Sequence, residues 1–324
     1  MSKSADISNP QPSTTEKPPM HDQLEFFIEQ ASKTGPITTA VVHPVDHNSL
    51  LGAIEAAEKG LIEPLLVGPE YKIRAAAEAE GIDLSPYTII PTEHSHMAAE
   101  RACALVLEAR ATALMKGSLS TAELLSAVVD RTKGIRTERR LTHVFVFDIP
   151  HYHKPLVITD AAINVVPDLM VKRDIVQNAI DFCQSLGNPS PKVAILAAVE
   201  KVKPNMPSTL DAAALCKMAD REQITGGILD GPLAFDNAIS LQAALDKHIH
   251  SPVSGDADIL LAPDLEAANM IAKQLIYLAE AKSAGLALGA KVPVILTSRA
   301  EGPLGRMASC ALASYMVKHP RKGA

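Results

Sequence analysis

At 324 residues, 47% hydrophobic and 21% charged, the chain has apolar material for one large or two medium-sized globular domains. A formal charge of −6, 3% aromatic residues and no Trp exclude a basic, base-stacking nucleic-acid face. The four cysteines, Cys103, Cys183, Cys216 and Cys310, form no Cys-x-x-Cys pair and read as reduced, buried thiols of a cytoplasmic protein.

Met1 to Met20 is rich in Ser, Thr and Pro, has no apolar segment, and reads as a disordered tail, neither a signal peptide nor an anchor. From there an alternating pattern predicts a helix over 21–33, a strand over 38–43 and a helix over 48–59. Strand 65–68, helix 69–80, strand 88–90 and helix 96–108 follow, then strand 112–115 and helix 120–130. Ser120-Thr121-Ala122-Glu123 spells a capping box at the start of that last helix. Strand 142–149 closes the first block. Such alternation predicts a largely parallel sheet covered on both faces.

The proline-flanked stretch Pro150 to Pro155 interrupts the rhythm and marks a crossing into a second unit. Beyond it the pattern gives strand 156–158, helix 168–186, strand 192–197, helix 208–219 and strand 227–229. Helix 236–247, with Asp236 as its N-cap, strand 259–262 and helix 266–281 complete that unit. Strands 286–288 and 292–296 and helix 304–317 return to the first unit, whose sheet would otherwise keep an open edge. The expected division is a tail (1–20), a split outer α/β domain (21–152 with 287–324) and an inserted α/β domain (153–286), with a ligand cleft between the two.

The glycine-rich dinucleotide fingerprint, the P-loop, the His-Glu-x-x-His zinc motif and the serine-hydrolase elbow are all missing. What remains is a set of polar loops at strand ends. Lys116-Gly117-Ser118-Leu119-Ser120-Thr121 places a lysine, a glycine and hydroxyls between strand and helix, either as a phosphate cradle or as a capped surface loop. Thr159 to Asp168 is unusually apolar around Asp160 and Asn164, which suits a partly buried site or a carboxylate tying its own loop. Asp230-Gly231-Pro232 ends a strand with a carboxylate. Ser254-Gly255-Asp256-Ala257-Asp258 reads as a structural turn ahead of a strand. Thr297-Ser298-Arg299 follows a β-branched run and precedes Gly302-Pro303, a helix start. Free N–H groups and a guanidinium there would suit a phosphate or an oxyanion.

Taken together these stretches resemble the phosphate acetyltransferase / phosphate butyryltransferase family. The resemblance rests on Lys116-Gly117 with Ser120-Thr121, Ile158 to Asn164, Asp230 to Leu233, Gly255 to Leu261, Gly289-Ala290-Lys291 and Leu296 to Ala300. It points to the short form without extra amino-terminal domains, nearest the butyryl-type branch and its acetyl-using relatives. The resemblance implies two α/β domains of the isocitrate/isopropylmalate-dehydrogenase-like kind, a homodimer, and the reversible reaction acyl-CoA + phosphate ⇌ acyl phosphate + CoA. Coenzyme A and inorganic phosphate are then substrates, and no metal or nicotinamide is needed.

By the same resemblance Ser298 bonds the thiol or thioester and Arg299 binds phosphate. The aspartate that supplies the base in acetyl-type relatives is absent, because position 305 is glycine. Glu301, the only carboxylate after Arg299, is one candidate base, and Asp160 or Asp230 reaching in from the facing domain is the other. Lys116, Gly117, Ser120, Thr121, Arg136, Asn164, Gly231 and Arg306 complete the expected contacts to phosphate and coenzyme A. Two other readings stay open on this scaffold: a metal-dependent decarboxylating hydroxyacid dehydrogenase using acids near Asp230 and Asp256, and a non-catalytic coenzyme A binder.

Overall fold

The computed structural model describes residues 22–296 and 302–320. Its first half contains α1 (Gln23–Lys33), β1 (Ile37–Val42), α2 (His47–Glu58), β2 (Ile62–Gly68), α3 (Glu70–Glu80), β3 (Thr88–Pro91) and α4 (Ser95–Leu107). Next come β4 (Ala113–Lys116), α5 (Thr121–Val128), β5 (Thr142–Asp148), β6 (Leu156–Thr159), α6 (Leu169–Ser185) and β7 (Lys192–Leu196). The remainder is α7 (Pro207–Asp220), β8 (Ile228–Leu233), α8 (Phe235–Ile239), α9 (Leu241–Asp246), β9 (Ile259–Leu261), α10 (Leu265–Leu278), β10 (Lys282–Leu288), β11 (Val294–Ile295) and α11 (Pro303–Lys318).

All described strands join one sheet in the order β3-β2-β1-β4-β11-β10-β5-β6-β9-β7-β8. Two parallel blocks, β3-β2-β1-β4-β11 and β6-β9-β7-β8, flank β10 and β5, which pair antiparallel with each other and with their outer neighbours. Three successive reversals point the two blocks in opposite directions, so the loops after β4 and β6 leave the sheet opposite ways. The central strands are apolar on both sides, as a doubly covered sheet requires; every residue of β5 and β6 is buried. One face packs against α1, α2, α3, α6, α7 and α11. The other packs against α4 and α5 over the first block and α8 and α10 over the second.

Several expected boundaries move. The strand expected over 227–229 continues as β8 through Asp230, Gly231 and Pro232, so that stretch is strand and not a loop. β8 is the outermost strand, where proline's missing N–H deprives no neighbour of a bond. The helix expected over 236–247 is two, because Ser240 adopts an extended backbone and its hydroxyl accepts from Ala243 N–H at 3.3 Å. Asp236 lies inside α8, whose N-cap is Ala234. α10 stops at Leu278, and Glu280 takes a left-handed φ of +53°, which lets β10 start at Lys282.

Candidate active site

A cavity of about 740 Å³ lies between α5 of the first block and the loop that follows β6. One wall is the outer side of α5, from Ala122 to Val129. The other is Ile163 and Asn164 with the start of α6, Asp168 to Asp174. Its end is formed by Arg131 and by Arg136 to Leu141. Five arginines, Arg131, Arg136, Arg139, Arg140 and Arg173, face three carboxylates, Glu138, Asp168 and Asp174, in a chain whose net charge is −6. The cavity is of the size of small-molecule sites, and its arginines outnumber its carboxylates, which favours an anion.

The arginines differ in their commitments. Arg173 is spent on Asp174 at 2.6 Å, and Arg139 pairs with Asp181 and reaches Asn178 Oδ1. Arg131, Arg136 and Arg140 are exposed, and their guanidinium groups have no ion-pair partner among the described residues. Their backbone is nonetheless fixed. Asp130 caps the turn through Thr132 and Lys133 N–H, both at 2.8 Å, and these bonds hold its carboxyl down at about 2. Arg136 bridges to Ala290, and Arg140 N–H donates to Asp174 Oδ2 at 3.0 Å. Three guanidinium groups without an ion-pair partner among the described residues, on a fixed backbone, suit phosphate oxygens.

The opposite wall is organised by Asp160, which is buried. Oδ1 accepts from Ala162 and Ile163 N–H, both at 3.0 Å, and Oδ2 from Asn164 N–H at 3.3 Å and Asn164 Nδ2 at 2.6 Å. Asn164 Nδ2 also donates to Leu141 O at 2.9 Å, tying the loop to the start of β5. Four donors on one carboxylate commit both of its oxygens to the loop's own backbone and to Asn164. In this arrangement Asp160 shapes the wall.

At the carboxyl ends of β1 and β4, Gly117 and Ser118 donate their N–H groups to Val42 O and His43 O at 2.9 and 2.8 Å. A Cβ on Gly117 would sit 2.7 Å from His43 O, so only glycine permits this approach. Ser120 Oγ accepts from Glu123 N–H at 3.1 Å as the α5 N-cap, and Thr121 is the helix's first residue. Lys116 Nζ donates to Gly117 O at 3.2 Å and lies near Asp46. Burial works against the charge on Asp46, but bonds from Ser118 and Ser49, with the Lys116 ammonium, hold its carboxyl below the usual range. This loop is held together by its own hydrogen bonds.

β11 lies beside β4, with Ile295 opposite Met115, so the chain leaves β11 at Leu296 next to Lys116. Ser298, Arg299 and Glu301 lie outside the described residues. Arg306, in the first turn of α11, lies across Gly52 of α2 with its Nη2 3.8 Å from Glu55. Asp230 and Gly231 stand on β8, three strands and so about 14 Å beyond β6. The structure thus brings Arg136 and Asn164 into one cavity, with Thr121 next to its Ala122 wall, and leaves Asp230, Gly231 and Arg306 elsewhere.

Sequence reasoning missed Arg131, Arg139, Arg140 and Arg173. Four arginines within 131–140 were the available signal. The acidic pair at Asp256 and Asp258 is held by cations: Lys192 meets Asp256 at 2.5 Å, His153 meets it at 2.8 Å, and Lys154 bridges both acids at 2.9 Å. Among the described residues no three His, Cys, Asp or Glu side chains gather where they could hold a metal. Burial pushes the thiols of Cys103, Cys216 and Cys310 up to about 12, so none is an activated nucleophile. Among the described residues no helix is long and apolar enough to cross a membrane.

Residues 97–313 match the family model described as "Phosphate acetyl/butaryl transferase". A phosphate acetyltransferase of Rhizobium meliloti is 56% identical over 94% of this chain and 96% of its own length. A phosphate butyryltransferase of Clostridium acetobutylicum is 40% identical over 86% and 92%. Among solved structures, a branched-chain phosphotransacylase from Enterococcus faecalis V583 superposes with TM-score 0.77 and 28% identity, covering 87% of this chain and 99% of that one. A 4-hydroxythreonine-4-phosphate dehydrogenase from Klebsiella pneumoniae, at 12% identity and TM-score 0.55 over 87% and 99%, shares the fold. The chain therefore belongs to the phosphate acetyl/butyryl transferase family, acyltransferases that interconvert acyl-CoA plus phosphate with acyl phosphate plus CoA.

Proposed function

We propose that this chain is a phosphate acetyltransferase whose coenzyme A lies along α5. The anionic nucleotide end sits among Arg131, Arg136 and Arg140, and the thioester lies toward the Lys116 loop and the end of β11. The observation that carries this reading is the set of three guanidinium groups at one end of the cavity that have no ion-pair partner among the described residues. Acetyl as the acyl group is supported by the 56% identity to an acetyltransferase against 40% to a butyryltransferase. In the proposed mechanism phosphate, held by Arg299, attacks the thioester carbon, and Ser298 steadies the departing thiolate. Glu301 relays the thiol proton, since Asp160 is engaged by four donors and Asp230 is remote. No metal or other cofactor enters.

The proposal extends to organisation. The outer (21–152 with 287–324) and inserted (153–286) units hold the cavity between them. The enzyme works in the cytoplasm as a homodimer. Its contact is placed on α10 and the adjacent loop, where Val165, Val166, Met270, Tyr277 and Leu278 are exposed.

Phosphate-dependent thiol release from acetyl-, propionyl- and butyryl-CoA, compared side by side, tests the reading. The highest kcat/KM is expected with acetyl-CoA, and chelator should have no effect. A preference for butyryl-CoA would overturn the acyl assignment, and nicotinamide reduction in place of thiol release would overturn the reaction.

A further inference from the structure

Ser314 and Lys318 stand four residues apart on α11 and so share one face of it. Both line a cavity of about 230 Å³ at the contact with α1, whose other wall includes Ala31, Lys33 and Thr34. Ser314 is 1% exposed, and its hydroxyl has no hydrogen-bond partner among the described residues. A helical serine can return its hydroxyl to the carbonyl one turn back, as Ser309 does to Gly305 O at 2.8 Å. Ser314 does not, and a buried hydroxyl left unmet destabilises the fold. Lys318 is half-buried, and its Nζ donates to Thr34 Oγ1 at 2.7 Å and to Gly35 O. Thr34 Oγ1 spends its own proton on Ala31 O at 2.8 Å, so toward the lysine it only accepts. Two uncharged acceptors match the two N–H bonds of a neutral amine and leave its lone pair free. Burial pushes the pKa of Lys318 below the usual lysine value. Lys33, across the same cavity, is exposed and paired with Glu29 at 3.0 Å.

We propose that Lys318 is a self-modification site, acylated on Nζ by the acyl phosphate that the enzyme makes, with the Ser314 hydroxyl receiving the new amide oxygen. The inference goes beyond the reading above and uses only the family's reaction. The Nζ lone pair attacks the acyl carbon and a C–N bond forms. The bond from that carbon to the phosphate oxygen breaks, inorganic phosphate leaves with the electron pair, and the surplus amine proton passes to water. An acyl phosphate is a mixed anhydride, so no further reactant is needed. The product amide keeps one N–H for Gly35 O, its carbonyl accepts from Ser314, and its short acyl chain occupies the cavity. Acylation thereby satisfies the unmet hydroxyl and removes a half-buried charge.

The test treats the full chain with acetyl phosphate in the absence of coenzyme A, or with acetyl-CoA in the absence of phosphate. Acetylation at each lysine is followed in time by peptide mass spectrometry. Neither mixture turns over, so the result does not depend on which acyl-CoA the enzyme prefers. Acetyl phosphate should acetylate Lys318 about tenfold faster than Lys33. Acetyl-CoA, too large for the cavity, should acetylate Lys318 no faster than Lys33. Ser314→Ala should slow Lys318 about tenfold and leave Lys33 unchanged, with a melting temperature that holds or rises because an unmet hydroxyl is gone. The rate at Lys33 in that variant is the internal control for its fold. Equal rates at Lys318 and Lys33 under acetyl phosphate overturn the proposal. So does an equal preference for Lys318 with both donors, or an unslowed Lys318 in Ser314→Ala.

Discussion

The loop from Lys116 to Thr121 and the stretch from Arg131 to Arg140 flank the same helix, yet they are built on opposite plans. In the first, the N–H groups of Gly117 and Ser118, the Ser120 hydroxyl and the Lys116 ammonium all have partners within the protein. In the second, the backbone is fastened through Asp130, Ala290 and Asp174, while three guanidinium groups have no ion-pair partner among the described residues. Residue type alone makes both look like phosphate sites. Committed donors hold a fold together, whereas uncommitted donors on a fixed backbone are available to a ligand.

Breaking the wall that faces the arginines should have the largest effect. Asp160→Asn turns one oxygen that accepts two N–H bonds into a donor, and should cost about 3 kcal/mol of stability, read as a lowered urea midpoint at unchanged slope. A loss under about 1 kcal/mol would show that the loop is held by something other than this carboxylate. Next comes an uncommitted guanidinium. Arg136→Ala should raise the KM for coenzyme A about thirtyfold, about 2 kcal/mol, with kcat and melting temperature little changed.

The committed loop should respond in the reverse sense. Ser120→Ala should cost about 1 kcal/mol of stability through the lost cap and leave KM for both substrates as it was. A large rise in the KM for phosphate would mean that Ser120 serves substrate as well as helix, and the contrast between the two regions would blur.

The smallest effect lies far from either region. Burial of Asp256 opposes its charge, but Lys154, Lys192 and His153 outweigh that and hold its carboxyl far below the usual value of 3.8. A carboxyl depressed on folding contributes stability that is complete above its unfolded pKa and fades as pH falls through the folded value. Acid titration of stability should therefore show a loss below about pH 4 that is smaller in Asp256→Asn, the partial exposure of the pair keeping it modest.

Much of the fold was legible because its signals are local. Ser120, Asp168 and Asp264 cap helices where their side chains can meet the third N–H along, and short apolar runs between such caps became strands. Pro232 misled the reading for a non-local reason, and Ser240 was a local cap that the reading passed over. A proline is tolerated in β8 only because that strand is the outermost, and a serine divides α8 from α9 by capping the second of them. Of the expected contacts, Arg136 and Asn164 line the cavity and Asp230, Gly231 and Arg306 do not, while the other arginines around Arg136 gave no signal beyond their density in 131–140.

The sequence by itself determined the alternating α/β architecture, the family and its reaction, because periodicity, capping chemistry and motif order are written in neighbouring residues. Only the tertiary structure decided which polar groups are free to meet a ligand. Whether Asp160 is a base or a wall, and whether Arg136 is solvated or aimed at a cavity, depends on partners far away in the chain. Those partners meet only when antiparallel β5 and β10 set the two parallel blocks facing opposite ways.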